Sequence, residues 1–488
     1  MSSYEAVIGL EVHVQLRTRS KMFTRVAQGF GAEPNTLVDP VIMGLPGVLP
    51  VLNEAAVEQS VRFGLIFGAE IPEVCKWDRK NYFYPDSPKN YQITQFDQPI
   101  CVGGAVEIEL STASRNVMGE HRQVALTRAH LEEDVGKLTH FERESLVDYN
   151  RAGTPLLEIV SEPDMHSADE AVAFLNSLRM HLVEAGISDC DMEKGQMRCD
   201  ANVSLRPVGS SELRPRWEMK NLNSISGVKN AINFVIRRQT RLYDEKQPVH
   251  QETHRWDPDL GVTQLMRRKE DSHDYRYFPD PDLMPVRFPR ERVEALRAAL
   301  PERVFDRQRR YMETLGLPYT VTSVICYDHE LGGFFEAALA LYAKNPSALA
   351  NYIANDLQRE RAAAAGEGSL PMAEVKMTPD HLAELVRLID EGVITKQAAK
   401  EVFPEVFATG KAPAAVVEAK GLKDDTDEGA LEAVIREVVA ANATPAAQFR
   451  EGNAKALNAY IGPIMRATQG KANPQAVQKV LRQIVAGG

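Results

Sequence analysis

The sequence predicts an α+β protein in which a sheet-rich N-terminal part is followed by helices. Residues 7–17 and 197–206 alternate between apolar and polar side chains, a period of two that is typical of half-buried β-strands. From Pro301 onward, apolar residues recur at helical spacing instead. We therefore expect a sheet whose apolar back is covered by helices and whose polar front forms a hollow lined by acidic and basic groups.

The composition favours a soluble protein of several domains. A chain of 488 residues holds roughly three domains, and we place them at 1–293, 294–407 and 408–488. The N-terminus has no signal-peptide pattern, no apolar run could span a membrane, and the five cysteines show no CxxC spacing. These features predict a cytoplasmic protein without a thiolate metal site. The net charge of −11 argues against a generally basic nucleic-acid binder, but it leaves room for a local basic patch.

The first strand has a polar face with two chemically useful side chains. Glu11 and His13 lie two positions apart, so a strand places them on the same face. A stretch rich in proline and glycine follows and predicts a long ordered loop. Asn53 then caps a helix that ends at Gly68.

Two later stretches mix basic and aromatic residues. Residues 78–95 interleave Arg79, Lys80 and Lys89 with tyrosine and phenylalanine, and residues 273–283 repeat this character. Such mixtures suit phosphates and stacked bases. The alternative is a loop that its aromatic side chains pin to the core.

The densest chemistry lies between His130 and Asp164. The block HLEEDVGK contains Glu132 and Glu133, and the block DYNRAGTPLLEIVSEPD places Glu158 inside an apolar run. A carboxylate buried in such a run costs several kcal/mol unless a cation or hydrogen bonds compensate it. The alternative is a solvated acidic turn followed by an ordinary strand.

Two further strands add charged groups to the same front. The alternation of residues 197–206 puts Arg198, Asp200 and Asn202 on its polar side, and Glu218 and Lys220 share a face in the strand that follows. These side chains extend the predicted hollow.

The rest of the chain is predicted to form helices. Helical signals cover 167–186, where Ser167 and Glu170 form a capping box, then 301–315, 329–343, 346–364 and the stretch opened by Thr378. Residues 450–488 contain one acidic residue, Glu451. They contain six basic residues, Arg450, Lys455, Arg466, Lys471, Lys479 and Arg482. This excess is either a solvated face or a surface that contacts RNA backbone.

Several common nucleotide and catalytic motifs are absent from the sequence. It contains no GxxxxGK[ST] phosphate loop, no GxGxxG, no GxSxG and no HExxH. Any ATP chemistry would therefore use carboxylates and metal instead of a phosphate loop.

Taken in order, the long blocks of this chain resemble one protein family, the B subunit of the aspartyl/glutamyl-tRNA(Asn/Gln) amidotransferase, or GatB/GatE family. The blocks are GLEVHVQL, DRKNYFYPDSPKNYQITQFDQPI, HLEEDVGK, DYNRAGTPLLEIVSEPD, MEKGQMRCDANVSLR, EMKNLNS and DYRYFPDPDL. The C-terminal GNAKALNAYIGPIMRATQGKANPQAV also resembles the tail domain of that family.

The resemblance implies an architecture and a set of partners. It implies a glutamine-synthetase-like cradle, an all-α domain and a small YqeY-like tail that holds tRNA. It also implies a heterotrimer with an amidase A subunit, which releases ammonia from glutamine, and a small C subunit.

The resemblance further implies ATP, Mg²⁺ and a misacylated tRNA as the cofactors and substrate. The B subunit would phosphorylate the side-chain carboxylate of Glu on tRNA(Gln) or Asp on tRNA(Asn), and ammonia would displace the phosphate. The implied catalytic and metal-binding residues are Glu11, His13, Glu133 and Glu158. The candidates for contacting the nucleotide or the acyl-tRNA end are Arg79, Lys80, Arg198 and Lys220.

This chain departs from the family pattern in one loop. Many members carry a four-cysteine zinc site after the first strand, where this chain has Thr24, Val26, Asp39 and Ile42. Structural zinc is therefore not expected.

Two other functions compete with the leading one. A non-catalytic tRNA-binding scaffold would not need convergent carboxylates, and a free-standing glutamine-synthetase-like ligase would not need a basic tail. The sequence leaves open whether Glu-tRNA(Gln), Asp-tRNA(Asn) or both are substrates.

Overall fold

A computed structural model describes residues 3–110, 112, 114, 116–268, 274–366, 368–423, 428–450, 453, 455–468, 472 and 474–487. The chain forms two compact units, residues 1–306 and 307–488. The first is built on a sheet and the second is helical, which confirms the predicted order of an α+β protein. The finer three-domain division stays a prediction.

The first unit contains all the strands of the described residues. They are β1 Tyr4–Gln15, β2 Val74–Cys75, β3 Asp78–Asn81, β4 Tyr91–Thr94, β5 Cys101–Val102, β6 Ala105–Glu109, β7 His121–Glu133, β8 Lys137–His140, β9 Ser145–Asp148, β10 Pro155–Ser161, β11 Met197–Pro207, β12 Trp217–Leu222, β13 Glu252–Asp257, β14 Val262–Arg268, β15 Phe278–Pro279 and β16 Val286–Arg287.

Nine of these strands form one sheet in the order β14-β13-β12-β11-β1-β10-β7-β5, with β6 also paired to β7. The central strand β1 is antiparallel to both β10 and β11. Its alternation is as predicted, because the apolar residues from Ile8 to Leu16 are buried and the polar ones between them are partly exposed. The strand β11 alternates in the same way. The two polar faces therefore lie side by side.

Helices cover the apolar back of the sheet. The helices of the first unit are α1 Glu54–Ile66, α2 Ala168–Glu184, α3 Ile225–Asp244 and α4 Arg290–Ala298. The buried faces of α2 and α3 belong to one continuous core with the strands. The polar side chains of β1 and β11 lie on the opposite face of the sheet.

The helix starts confirm most of the predicted capping. The Asn53 side chain accepts a hydrogen bond from the Ala55 amide, and Ser167 accepts one from the Glu170 amide. The Glu170 carboxylate accepts from the His166 amide at 2.9 Å instead of from the Ser167 amide. The predicted capping box is therefore only half formed.

Residues 16–53 form the expected loop, with turns and bends but no helix or strand. Lys21 is fully buried, and its ammonium donates to the carbonyl oxygens of Leu37 at 2.6 Å and Ala152 at 2.7 Å. The Thr24 hydroxyl donates to Asp39, whose other oxygen accepts from the Ile42 amide at 2.9 Å. The Val26 amide also donates to the Thr24 hydroxyl, at 3.5 Å, so hydrogen bonds connect all four positions of this chain that are compared above with a zinc site.

The second unit consists of helices. They continue from α5 Val304–Thr314 through α6 Tyr319–Tyr327, α7 His329–Leu341, α8 Pro346–Asn351, α9 Gln358–Ala365, α10 Pro379–Asp390, α11 Lys396–Thr409, α12 Pro413–Lys420, α13 Glu428–Ala441, α14 Thr444–Arg450 and α15 Asn458–Ala467 to α16 Pro474–Gly487.

Two features of these helices are not among the sequence predictions. A π-helical segment, Tyr352–Leu357, separates α8 from α9, and α6 has no counterpart among the predicted helices. The last helices have an apolar core of their own, centred on Ile435, Tyr460 and Leu481. No helix within the described ranges combines the length and the apolar composition needed to cross a membrane.

Candidate active site

Three acidic residues and two histidines meet on the front of the sheet. We call them the acid–histidine cluster: Glu11, His13, His130, Glu132 and Glu158. His13 Nε2 lies 3.3 Å from Glu158 Oε2, 3.7 Å from Glu11 Oε1 and 3.8 Å from Glu132 Oε1. His130 Nε2 lies 3.5 Å from Glu158 Oε2. Glu158 is therefore shared by both histidines at the centre of the cluster.

Strand register explains why these residues meet. In β1 and β10, His13 pairs directly with Glu158, and in β10 and β7, Glu158 pairs with His130. Directly opposed residues in antiparallel strands share a face with side chains a few ångströms apart. Glu132 lies two positions beyond His130 in β7 and hence on the same face.

The structure corrects one predicted member of the site. Glu133 was expected beside Glu11, His13 and Glu158, but it points to the other face of β7. Its carboxylate pairs with the Lys89 ammonium and accepts from the Ile93 amide at 2.9 Å. Adjacent strand residues face opposite ways, so Glu132 and not Glu133 belongs to the cluster.

Glu132 and His130 are not among the site residues predicted from the sequence, because Glu133 is taken from the family resemblance and a solvated turn is left open for the acidic run. Glu132 is in fact only 3% exposed at the end of a thirteen-residue strand. The alternation from His130 to Glu132 was the signal that could have revealed both.

The cluster shifts the proton affinities of its members. Burial, reinforced by Glu158, raises the pKa of Glu11 to about 7. Burial alone would lower the pKa of His13, but its hydrogen bond to Glu158 and the surrounding carboxylates raise it to about 9. Burial lowers the pKa of His130 to about 4. In the absence of a cation, His13 thus carries a positive charge at neutral pH and His130 does not.

Glu158 behaves in the opposite way to Glu11. Burial would raise its pKa, but His130, His13 and Lys80 outweigh that effect and hold the pKa well below the usual value. A buried carboxylate that stays ionised among neighbouring cationic groups is also a suitable ligand for a metal ion.

The donor atoms of the cluster fit a divalent cation. One ligand atom from each of Glu11, His13 and Glu158 lies within 4.8 Å of the others, and the same holds for His130, Glu132 and Glu158. Glu132 Oε2 and His130 Nδ1 are buried and have no hydrogen-bond partner among the described residues. Carboxylate oxygens are preferred by Mg²⁺, and imidazole nitrogens widen the choice to transition metals.

Three of the four predicted basic residues have acidic partners, and the two arginines are among them. Arg79 pairs with Asp280 at 2.8 Å and Asp282 at 3.0 Å. Arg198 pairs with Asp134 at 2.9 Å. Both guanidinium groups therefore have a structural partner that accounts for their position.

The two lysines interact electrostatically with members of the acid–histidine cluster, Lys220 with Glu11 and Lys80 with Glu132 and Glu158. Lys220 pairs with Asp200 and, at 3.1 Å, with Glu218, on the extension of the same front face. The Lys80 ammonium lies 5.2 Å from the centre of the Tyr275 ring, and no acidic group of the described residues pairs with it. Burial would lower the pKa of Lys80, but Glu132 and the other nearby acidic groups raise it. Lys80 is thus a charged group with its ammonium still available.

Most of the predicted RNA-contacting residues are exposed. Lys455, Arg466, Lys479 and Arg482 lie at the surface of the tail, and Lys479 and Arg482 are one helical turn apart on α16. Lys471 lies outside the described residues. Their predicted contact with tRNA stays a prediction.

Comparison with known proteins identifies the family. A GatB/GatE catalytic-domain model matches residues 6–294, and a GatB-domain model matches residues 333–485. Three relatives are each named as the B subunit of an aspartyl/glutamyl-tRNA(Asn/Gln) amidotransferase. The protein of Opitutus terrae is 56% identical, over 99% of both chains. That of Geotalea uraniireducens is 47% identical, over 99% of this chain and all of its own. That of Carboxydothermus hydrogenoformans is 45% identical, over the whole of both.

These matches extend over nearly the entire chain, and the catalytic-domain match contains every residue of the acid–histidine cluster. The resemblance inferred from the sequence blocks is confirmed. The chain belongs to the GatB/GatE family of amidotransferase B subunits.

Proposed function

We propose that this chain activates and amidates the amino acid of a misacylated tRNA. The γ-phosphoryl group of ATP passes to a side-chain carboxylate oxygen of Glu on tRNA(Gln) or Asp on tRNA(Asn), which gives an acyl phosphate and ADP. Ammonia then attacks the acyl carbon, the carbon–oxygen bond to phosphate breaks, and the amide forms with release of phosphate and a proton. The observation that carries this proposal is the acid–histidine cluster with its unpaired buried donor atoms.

The chain's own residues contribute charge and position more than covalent chemistry, as phosphoryl transfer requires. Glu11, His13, His130, Glu132 and Glu158 would hold divalent metal, with Mg²⁺ expected, and that metal would neutralise phosphate oxygens when bound. Lys80 has an available ammonium next to the cluster and is the best placed of the predicted basic residues to contact a phosphoryl oxygen. Lys220 extends the same front face.

One assay distinguishes this function from the two alternatives. The assembled enzyme should release ADP only when misacylated tRNA is present. A scaffold would release none under any condition, and a small-molecule ligase would release ADP with free glutamate or aspartate. Assaying Glu-tRNA(Gln) and Asp-tRNA(Asn) separately would also identify the substrate.

The ammonia should come from a partner. The sequence has no recognisable serine or cysteine nucleophile motif with a positioned base, so we expect the purified chain alone to produce no ammonia from glutamine. With ammonium chloride, ATP and misacylated tRNA, the same preparation should still form amide. Adding an amidase A subunit with a small C subunit should make glutamine effective. Glutaminase activity of the single chain would contradict this assignment.

The tail should contribute to tRNA affinity and not to chemistry. Its exposed Lys479 and Arg482 offer charges to phosphates, and such contacts weaken as salt rises. A chain that ends before Lys411 should therefore show a higher KM for tRNA and a shallower salt dependence, with ATP binding unchanged. A double variant, Lys479→Gln with Arg482→Gln, should move KM in the same direction. An unchanged KM for tRNA in both variants would rule out this role.

A further inference from the structure

Three aromatic rings line up beside the acid–histidine cluster. Phe96 and Tyr277 are stacked nearly parallel, with ring centroids 4.2 Å apart and an angle of 11°. Tyr275 meets Tyr277 edge-on at 6.0 Å. Phe96 is 56% exposed although it is stacked, so part of its surface is open to solvent. We call the Phe96–Tyr277 pair the aromatic platform.

The platform lies against the small sheet of β15, β3 and β4, and the Phe96 amide donates to the Asp78 carboxylate of β3 at 3.0 Å. Phe278 pairs with Arg79 in register, and the Asn81 side chain donates to the carbonyl oxygens of Tyr275 and Arg276. Arg276 between the two tyrosines has a φ of +47°, which is rare for a residue with a side chain. Residues in such conformations cluster at ligand-binding and catalytic sites.

A continuous path of groups leads from the platform to the cluster. The Lys80 ammonium lies 5.2 Å from the Tyr275 ring centre. Lys80 in turn interacts electrostatically with Glu132 and Glu158. The Tyr277 hydroxyl also interacts electrostatically with Lys80, Glu132 and Glu158, so the rings border the cluster on the side where the Lys80 ammonium lies.

We propose that the Phe96–Tyr277 pair is an adenine-stacking platform, a role that rests on the proposed function. Both substrates of that function end in adenine: ATP carries it as its base, and tRNA carries it as the 3′-terminal nucleoside. Each must bring a phosphoryl or acyl group to the cluster, past the cations that adjoin the rings. A flat, preorganised aromatic surface next to positive charge is the arrangement that binds bases without reading their edges. The second aromatic–basic stretch of the sequence is thereby given a role.

The test uses Phe96→Leu in the assembled amidotransferase, with two matched controls. Phe96→Tyr retains the ring and should bind both substrates normally. Phe83→Leu removes another strongly exposed ring, at 73% exposure, and should also have no effect. Thermal unfolding of each variant checks that the fold is kept, which is expected because Phe96 is largely exposed.

Two fluorescent probes distinguish the sources of adenine. 2-Aminopurine riboside triphosphate replaces ATP, and a tRNA ending in 2-aminopurine replaces normal tRNA, because stacking on an aromatic ring quenches this base. In wild type one of the two probes should be quenched on binding, and Phe96→Leu should abolish that quenching and weaken the affinity of that probe about 10-fold. Loss with the triphosphate alone assigns the base of ATP, and loss with the tRNA alone assigns the terminal nucleoside.

Unchanged quenching and affinity for both probes in Phe96→Leu would overturn the platform. The proposed function is judged separately, by tRNA-dependent ADP release at saturating substrates. Absence of that activity in the wild-type enzyme would refute the function itself, whatever the two probes report.

Discussion

Replacing Glu158 with glutamine should reduce tRNA-dependent ADP formation roughly 10²-fold or more, with tRNA binding retained. Glu158 lies at the centre of the acid–histidine cluster, within 3.3 Å of His13 and 3.5 Å of His130, and it belongs to both candidate ligand sets. The amide has nearly the same shape but loses the charge that would hold metal. The measurements are ADP release and tRNA affinity of the assembled enzyme.

Other glutamates provide a second test variant and the controls. Glu132→Gln should have an effect similar to Glu158→Gln, because Glu132 lies on the same face of the sheet as the rest of the cluster. Glu133→Gln changes the adjacent residue, which pairs with Lys89 on the opposite face, and should reduce ADP release far less than Glu158→Gln does. Glu142→Gln, at an exposed position, should behave like wild type. If Glu158→Gln and Glu132→Gln release ADP as fast as Glu142→Gln, the active site lies elsewhere.

The charge balance of the cluster changes the expected effect of these substitutions on stability. Three carboxylates alone would repel one another, and removing one would then stabilise the protein without metal. His13, whose pKa is raised to about 9 by its hydrogen bond to Glu158 and by the surrounding carboxylates, lies among them, and Lys80 interacts with Glu132 and Glu158. Glu158→Gln should therefore not stabilise the metal-free protein. Mg²⁺ should raise the unfolding temperature of wild type and leave that of Glu158→Gln nearly unchanged.

Substituting Asp134 with asparagine should destabilise the sheet unit by about 3 kcal/mol. Asp134 is 3% exposed and accepts from the Arg198 guanidinium at 2.9 Å and the Gln15 amide at 3.1 Å, with Arg151 at 3.6 Å. Removing its charge leaves two partly buried guanidinium groups without their counter-ion, which costs more than the loss of an exposed ion pair. Thermal and urea unfolding of the full chain would measure the change.

Asp191→Asn is the matched control for that prediction. Asp191 pairs with Lys194 at 2.9 Å, but both side chains are substantially exposed. Exposed pairs contribute about 0–1 kcal/mol, so this variant should unfold almost as wild type does. Equal stability of the two variants would contradict the prediction that the Asp134 charge stabilises the sheet unit.

The strand pattern of the sequence was sufficient to predict the centre of the sheet. In β1 and β11 every second residue is apolar, so burial of one face follows directly from the backbone geometry. The same rule would have separated Glu132 from Glu133, but a solvated turn stayed open as an alternative for the acidic run because its burial depends on pairing with strand β10. Local pattern therefore predicted the strands better than it predicted which carboxylates converge.

The partners of Arg79, the helix α6 and the π-helical segment could not be predicted from the local sequence pattern. Arg79 was a plausible phosphate ligand until the fold brought Asp280 and Asp282, about two hundred residues away, onto its guanidinium. The helix α6 lies between Pro318 and Asp328 and is largely apolar, so it shows no polar face for a periodicity argument to detect. The π-helical segment leaves no compositional signature in Tyr352–Leu357.

The last helices have an apolar core of their own, and this core affects which substitutions the tail can accept. Because Leu431, Tyr460 and Leu481 pack with one another in the described part of the tail, much of the burial needed for its fold is internal. The surface charges of such a segment can change without altering the buried residues that hold it together. On the role proposed for the tail, changes in its surface charges would alter tRNA affinity without disturbing the acid–histidine cluster, which is built on a different core.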